Sequence, residues 1–169
     1  MNPIVSISHF QQSAEGYCLS ACVRMVLTHL GLECSEAEVS QMLGAREFGT
    51  PSFAVRRLIA EGLQVTYGEW SVAQLATVLA AERPVILFVR TGLLDYWQED
   101  VAHAVVVVGV EEGERFWVHD PALPDGPRAV SWNGLLAAWA EFDHRAALIR
   151  HGERGEFGSL ATLKELGRL

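Results

Sequence analysis

Two residues that can act together on a carbonyl group, Gln12 and Cys18, stand six positions apart near the start of the chain, and an apolar helical pattern from Leu19 to Leu30 follows at once. The N-terminus of a helix presents unpaired backbone N–H groups and the positive end of the helix dipole. Both favour the thiolate form of a cysteine, which is its nucleophilic form. The Gln12 amide could donate a hydrogen bond to an oxygen that becomes negative during attack. The pattern predicts a nucleophile at Cys18, the alternative being a small buried apolar side chain.

A base for this thiol, and a carboxylate to orient the base, are found in the second half of the chain. His103 begins a valine-rich, strand-like run, and Asp120 follows the next run, Arg115–His119. The segment around Gly113 predicts a hairpin turn, and antiparallel pairing then places Asp120 within one or two residues of His103. Imidazole is the usual base for a thiol at neutral pH. The alternatives are a structural histidine and an aspartate that serves the turn at Pro121.

Taken in order, Gln12, Cys18, His103 and Asp120 resemble the papain-like cysteine peptidases. More narrowly, they are similar to the bacteriocin-processing (double-glycine leader) peptidases of cysteine peptidase family 39 and their free-standing relatives. The motifs that carry the resemblance extend over most of the chain: Gln12…Cys18-Leu-Ser-Ala-Cys22, Gly49-Thr-Pro-Ser52, His103-Ala-Val-Val-Val-Val-Gly109 and Val118-His-Asp120-Pro121. One departure lies beside the thiol, where the family usually has Asp-Cys-Gly and this chain has Tyr17-Cys18-Leu19. Tyr17 and Leu19 are therefore candidate substrate-binding residues.

The resemblance implies a thiol-dependent peptidase that cleaves a peptide or leader-peptide amide bond without a cofactor. Cys18 would attack the carbonyl, His103 would transfer the proton, and Asp120 would hold the imidazole. Gln12 and the backbone N–H of Cys18 would bind the oxyanion. Family relatives cleave after paired glycines, which implies a small residue before the scissile bond. The implied partners are a peptide or protein substrate and, encoded separately, an exporter or precursor peptide.

Three other functions fit the same residues. An acyl or peptidyl transferase could use the same triad with an amine in place of water. A catalytically silent module could keep the papain-like cleft to bind a peptide. A redox-sensing thiol pair, Cys18 and Cys22, is the third alternative, although the spacing differs from the Cys-x-x-Cys of redox motifs.

The remaining candidate residues surround this constellation. The segment Thr91–Asp100, which carries Tyr96 and Trp97 just before His103, is the candidate for a mobile substrate wall. His119 is expected on the face of its strand opposite to Asp120, because successive side chains alternate. The other histidines and cysteines are expected to be structural, incidental or on the surface: His9, His29, His144, His151, Cys22 and Cys34. No metal site is expected, since the cysteines lack paired spacings with histidines.

Length and charge limit the classes of protein that this chain can represent. Its 169 residues fit one domain with a substantial core. With 13 Lys and Arg against 21 Asp and Glu, the net charge is −8, which argues against a nucleic-acid surface and against docking on anionic lipid. No secretory signal is visible, and the longest apolar run, Ala102–Val110, is far shorter than the ~20 residues that span a bilayer. We expect a soluble, cytoplasmic protein with reduced thiols.

Periodicity predicts mainly helices in the first half of the chain and strands in the second. Helical spacing follows Cys18, Ser35 and Glu38 form a capping-box pattern, and further helices are expected after Ser52 and Ser71. Strands are expected at 64–67, 84–89, 102–110, 115–120, 128–131 and 145–149, with a helix at 132–142. The predicted class is α+β, and the resemblance implies a papain-like layout, with a helical part (about 12–82) packed on an antiparallel sheet (about 84–150). The expected domain is 1–151, followed by an amphipathic tail at 152–169.

Overall fold

The computed structural model of this protein describes residues 3–152 of the 169-residue chain. Its α-helices are α1 (Cys18–His29), α2 (Glu36–Leu43), α3 (Val72–Ala80) and α4 (Trp132–Ala140), and two 3₁₀ helices span Ser52–Glu61 and Thr91–Leu93. Its strands are β1 (Gln64–Glu69), β2 (Val85–Arg90), β3 (Ala102–Glu111), β4 (Arg115–His119), β5 (Arg128–Ser131) and β6 (Arg145–Arg150). The elements expected from periodicity are present, with bounds that differ by a few residues.

Serine side chains fix the start of three of the α-helices. Ser35 and Ser71 each accept a hydrogen bond from the backbone three residues on and form complete capping boxes, and Ser131 accepts one from the Gly134 N–H. Helix α1 differs, because Tyr17 precedes it without a side-chain cap. The first backbone N–H groups of α1 are therefore left without the side-chain acceptor that the other three helices have.

The helix predicted after Ser52 is wound as a 3₁₀ helix rather than an α-helix. Its buried residues are Ala54, Val55 and Leu58, so only a narrow apolar stripe faces the core. A spacing of three between Val55 and Leu58 matches the three-residue turn of a 3₁₀ helix, in which such side chains lie directly above one another. Gly62 ends the segment in the left-handed conformation.

The six strands form one antiparallel sheet in the order β1-β6-β2-β3-β4-β5. Consecutive strands pair from β2 to β5, as expected for hairpin-like connections. The last strand, β6, lies between β1 and β2 and pairs with both of them. Strand β3 is central and is buried from His103 to Val110. It is therefore a rigid support for the residue at its start.

Two hydrophobic cores lie on opposite faces of this sheet. One contains the buried residues of α1, α2 and the Ser52–Glu61 helix, together with alternate residues of β3 such as Val106. The other contains those of α3 and α4, together with Val105 and Val107. The α+β class is confirmed, but α3 and α4 cover the face away from α1. The reason is that β2 and β3 are apolar on both faces and therefore need cover on both sides.

Two further findings concern the ends of the chain and membranes. Among residues 3–152, no helix is long and apolar enough to cross a bilayer. The amphipathic tail expected at 152–169 lies, from residue 153 onward, outside the described residues. The domain extent of 1–151 stays a prediction.

Candidate active site

Cys18 is the first residue of α1 and is partly exposed. Its thiol lies at the helix N-terminus, where no side chain of Tyr17 competes for the free N–H groups. Beyond it, the helix turns inward, and Cys22 is fully buried one turn later. The sequence-predicted nucleophile is thus the only one of the described cysteines that is not buried.

His103 and Asp120 are brought together by the β3–β4 hairpin. Val106 pairs with His119, the last residue of β4, so Asp120, which follows it, comes within two positions of His103. The Nε2 atom of His103 lies 2.7 Å from Oδ1 of Asp120, and both side chains are almost fully buried. The register argument made from the sequence therefore matches the distance in the structure.

The charges of these two groups depend on each other. Burial lowers the pKa of His103, but its hydrogen bonds and charge interactions with Asp120 and Cys18 outweigh this effect and raise the pKa to about 9. Burial raises the pKa of Asp120, but hydrogen bonds from His103, Trp97 and Tyr96 and the charge of His103 hold it below the ordinary carboxyl value. Around neutral pH, the pair is an imidazolium beside a carboxylate, and Cys18 lies next to the imidazolium.

A cavity of about 370 Å³ adjoins the thiol and the imidazole. Leu19 and Trp97, two of the candidate substrate-binding residues, line it. Its other lining residues come mainly from the two sides of the cleft: Gln12, Glu15, Gly16, Cys18, Glu47, Phe48, Gly49, Thr50, Ser52, Phe88, Glu99, Val101, Ala102, His103, Ala104 and Phe142. Tyr17 is not among them, so its placement does not support the substrate-binding role expected from the sequence. The motif Gly49-Thr-Pro-Ser52 borders this cavity.

Tyr96 is placed differently from the substrate wall expected for it. Its hydroxyl donates to Oδ2 of Asp120 at 2.7 Å, and Tyr96 does not line the cavity. The indole N–H of Trp97 donates to the same oxygen at 2.9 Å, and the Trp97 ring lies 4.9 Å from the ring of His103. The Thr91–Asp100 segment is expected to be mobile, but its tyrosine and its tryptophan both bind Oδ2 of the buried Asp120 carboxylate.

Gln12 lines the same cavity as Cys18 and is held from two directions. Its backbone N–H donates to Pro121 O at 2.7 Å, which ties it to the residue after Asp120. Its side-chain Nε2 donates to Ala14 O at 2.9 Å. An amide nitrogen carries two hydrogens, and the second has no acceptor among the described residues. It is therefore available to an oxygen that enters the cavity.

A pair of imidazoles beside this site was missed from the sequence. Nδ1 of His9 lies 2.9 Å from Nδ1 of His119, and Nε2 of His9 lies 2.7 Å from Leu123 O. His119 lies on the face opposite to Asp120, as expected, but His9 was expected to have no companion. The two histidines are 110 residues apart in the chain, so no local sequence pattern predicts their contact. Together with Gln12, they join the N-terminal segment to the loop after β4.

The other candidate residues are structural or exposed. Burial raises the pKa of the Cys22 thiol well above its usual range, which makes it a poor nucleophile. Cys34 is also buried, whereas the three other predicted surface histidines, His29, His144 and His151, are exposed. In the described part of the chain, no three His, Cys, Asp or Glu side chains are grouped closely enough to hold a metal ion.

Two sequence comparisons bear on this geometry. The profile of the family described as "Peptidase_C39 like family" matches residues 4–147. An uncharacterised protein of Methanothermobacter marburgensis is 30% identical over 114 residues, which make up 67% of this chain and 70% of that protein.

Three solved structures share the fold at low sequence identity. The peptidase domain of Streptococcus ComA, a bifunctional ABC transporter involved in a quorum-sensing pathway, has a TM-score of 0.69 and 17% identity, and the match covers 87% of this chain and 98% of that one. A Bacillus anthracis protein assigned as a C39-like peptidase has a TM-score of 0.68 and 14% identity, and the match covers 86% of this chain and 96% of that one. A double-glycine-motif protease of an AMS/PCAT transporter, solved with the leader peptide, has a TM-score of 0.67 and 16% identity, and the match covers 88% of this chain and 94% of that one. With the profile match over most of its length, this chain belongs to the Peptidase_C39-like family.

Proposed function

We propose that this protein is a cysteine peptidase that cleaves a peptide amide bond with Cys18, His103 and Asp120. The observation that carries the proposal is the position of His103, which interacts with Cys18 on one side and lies 2.7 Å from Asp120 on the other. A nucleophile, a base and an orienting carboxylate in this order are what covalent acyl transfer needs. The cavity beside them gives a carbonyl group access to the thiol.

The proposed reaction has two steps, acylation of Cys18 and hydrolysis of the resulting thioester. In the first, the Cys18 thiolate attacks the carbonyl carbon, and the imidazolium of His103 gives its proton to the leaving amine as the C–N bond breaks. In the second, His103 takes a proton from water and the hydroxide attacks the thioester. The C–S bond then breaks, which releases the acid product and restores the Cys18 thiolate beside the His103 imidazolium. Asp120 holds the imidazole in the required orientation throughout.

The oxyanion of each tetrahedral intermediate would be bound by Gln12 and by the backbone N–H of Cys18. Two observations support this assignment. The Gln12 side chain lines the cavity and has one N–H without an acceptor among the described residues. Helix α1 starts without a side-chain cap, so its first N–H groups are free to donate to a developing negative charge. Cys18 belongs to a helix, and the backbone N–H of Gln12 is bonded to Pro121 O, so both donors are held in place as such stabilisation requires.

The substrate class that we propose is a peptide with small residues before the scissile bond, as in a leader peptide. One structural match is a double-glycine-motif protease that was solved with its leader peptide bound. A precursor peptide, or an exporter that presents it, would then be the partner of this chain. Trp97 and Leu19, which line the cavity beside the thiol, are the proposed contacts for the substrate backbone and side chains.

The test combines cleavage with labelling of the thiol. Synthetic peptides that carry Gly-Gly at one site, and matched peptides with a bulky second residue, are incubated with the protein and analysed by mass spectrometry. We expect cleavage after the second glycine, lost in Cys18→Ala and retained in Cys22→Ala. In parallel, limiting iodoacetamide should label Cys18 selectively below about pH 8, because an unperturbed thiol titrates near 8.5.

The other outcomes identify the alternatives. Selective labelling of Cys18 with no hydrolysis, but with coupling of an added amine to the peptide, would make the protein a transferase. Peptide binding with slow labelling that does not change in His103→Ala would make it a silent binding module and would overturn the proposal.

A further inference from the structure

The carboxylate of Asp120 receives more hydrogen bonds than its proposed role toward His103 requires. Oδ1 accepts from His103 Nε2 and from the backbone N–H of Ala122, the latter at 2.9 Å. Oδ2 accepts from the Tyr96 hydroxyl and the Trp97 indole. Four donors thus converge on one carboxylate that is 1% exposed.

We propose that Tyr96 and Trp97 are positioning residues that fix the rotation of the Asp120 carboxylate and keep it ionised, so that His103 stays charged and aligned with Cys18. We name them the donor pair. The inference rests on the proposed function and adds two residues that do no chemistry themselves.

The geometry explains how the donor pair acts. A carboxylate that is bound through Oδ1 alone can still turn about its Cβ–Cγ bond, which carries the acceptor lone pairs away from His103. Two donors on Oδ2, at 2.7 and 2.9 Å, oppose that rotation because any turn would break them as well. Tyrosine and tryptophan are suited to this task, since each puts one polar atom at the end of a large apolar ring.

The segment that carries the donor pair is itself fixed at its base. Thr91 is fully buried; its backbone N–H donates to Val101 O at 3.0 Å, and its hydroxyl accepts from the Val101 N–H at 2.9 Å. The guanidinium of Arg128 lies 4.2 Å from the centre of the Tyr96 ring, so β5 holds the tyrosine from the far side. Tyr96 therefore reaches Asp120 from a closed loop and not from a freely moving one.

The donor pair also favours the charged form of the carboxylate, in addition to the hydrogen bond and the charge of His103. Burial by itself disfavours an ionised carboxylate, and hydrogen bonds to the charged form reverse that preference. Without these two donors, Asp120 would take up a proton at higher pH, and a protonated Asp120 cannot stabilise the imidazolium. The loss of either donor is therefore expected to lower the reactivity of Cys18 at acidic pH before it does so at neutral pH.

The experiment measures the rate of alkylation of Cys18 by iodoacetamide at about pH 5 and about pH 7.5 in Tyr96→Phe, Trp97→Phe and the double variant. Tyr67→Phe and Trp117→Phe are the matched controls, because their polar atoms bond to Ser52 and Glu111 and not to Asp120. We expect the ratio of the rate at pH 5 to that at pH 7.5 to be lower in the double variant than in the wild type, because a larger fraction of Asp120 is then protonated at pH 5. Tyr96→Phe alone, which removes a single atom, should show a smaller fall.

The result distinguishes this inference from the proposed function. A structural loss would lower both rates together and leave the ratio unchanged, and that outcome overturns the positioning role. If His103→Ala slows alkylation while the donor-pair variants keep the wild-type ratio, the triad stands and the donor pair does not. If His103→Ala leaves alkylation unchanged, the proposed function itself fails.

Discussion

The imidazole of His103 and the carboxylate of Asp120 are joined by a buried contact of 2.7 Å between Nε2 and Oδ1. Because Nε2 is occupied by the carboxylate, the other ring nitrogen, Nδ1, is the one left for the thiol of Cys18. This division of the two nitrogens fixes the tautomer, and with it the direction of proton transfer in the proposed reaction. The first two predictions depend on it.

Asp120→Asn is expected to lower kcat for peptide cleavage by about 10²-fold, with little change in KM. The amide keeps the size of the carboxylate, but it has no charge to stabilise the imidazolium and can present an N–H to Nε2. Steady-state kinetics on a cleaved peptide test this expectation. A variant with wild-type kcat would remove Asp120 from the mechanism. Asp100→Asn, at an exposed aspartate, is the matched control.

Cleavage activity is expected to fall on the alkaline side as pH rises through about 9, the raised pKa of His103. The imidazolium must donate a proton to the leaving amine, so activity needs the protonated form, which is lost above its pKa. Asp120 helps to raise that pKa, and the descending limb should therefore move to lower pH in Asp120→Asn. The measurement is kcat/KM from about pH 6 to 10. A limb at the same pH in both proteins would contradict the assignment.

Gln12→Ala is expected to lower kcat by about 10²- to 10³-fold and to leave KM nearly unchanged, as for the loss of one oxyanion donor. Gln11→Ala is the matched control, because Gln11 is exposed and donates to Ala122 O rather than into the cavity. Equal losses in the two variants would indicate that the N-terminal segment acts through its packing alone.

Gly16→Ala is expected to destabilise the protein more than Gly31→Ala does. Both glycines have a left-handed backbone, with φ of 88° and 82°, so each alanine costs about 1–2 kcal/mol in free energy of unfolding. A Cβ on Gly16 would also clash with the backbone oxygen of Glu47, whereas one on Gly31 meets nothing within 4 Å. The clash displaces the turn that carries Phe48 at the cavity, so KM should rise in Gly16→Ala alone. Urea unfolding and kinetics test both points, and equal stability losses would contradict this account.

His119 is expected to make the protein less stable in mild acid. Burial lowers its pKa from 6.5 to about 4, and His9 contributes to the same shift. The unfolded chain therefore binds the proton first, and stability is lost as pH falls from 6.5 towards 4. The loss amounts to about 2 kcal/mol at about pH 5.

His119→Asn is the variant that isolates this effect, since an amide can still donate to Nδ1 of His9 but does not titrate. The free energy of unfolding of the wild type and that of the variant are measured by urea unfolding at several pH values. The difference between them should shrink below about pH 6.5. A constant difference across that range would show that His119 does not control the acid response.

Local patterns were sufficient to predict most elements and the contact between His103 and Asp120. The capping boxes at Ser35 and Ser71 depend on residues three positions apart, and the His103–Asp120 contact depends on a single hairpin, so both can be read from short segments. The apolar runs of β2 and β3 indicate that both faces of the sheet are covered. They do not indicate that α3 is one of the helices on the second face.

The contacts that were missed join segments that are distant in sequence. Tyr96 reaches Asp120 across 24 positions and His9 reaches His119 across 110, and no periodicity records either contact. A tyrosine in a loop before a histidine is consistent with a substrate wall, and only the closure of that loop at Thr91 directs its hydroxyl to the carboxylate. The placement of β6 between β1 and β2 was not predictable either, because the sequence of a strand does not indicate which strands it pairs with.

The position of β6 has a consequence for the order in which the molecule can be completed during synthesis. Strands β1 and β2 are not neighbours, and residues 145–150 supply the strand that joins them. Cys18, His103 and Asp120 all emerge from the ribosome before that strand does. A nascent chain therefore carries all three residues of the proposed triad before it has the strand that joins β1 to β2, and a chain that ended before residue 145 would leave β1 without a neighbouring strand.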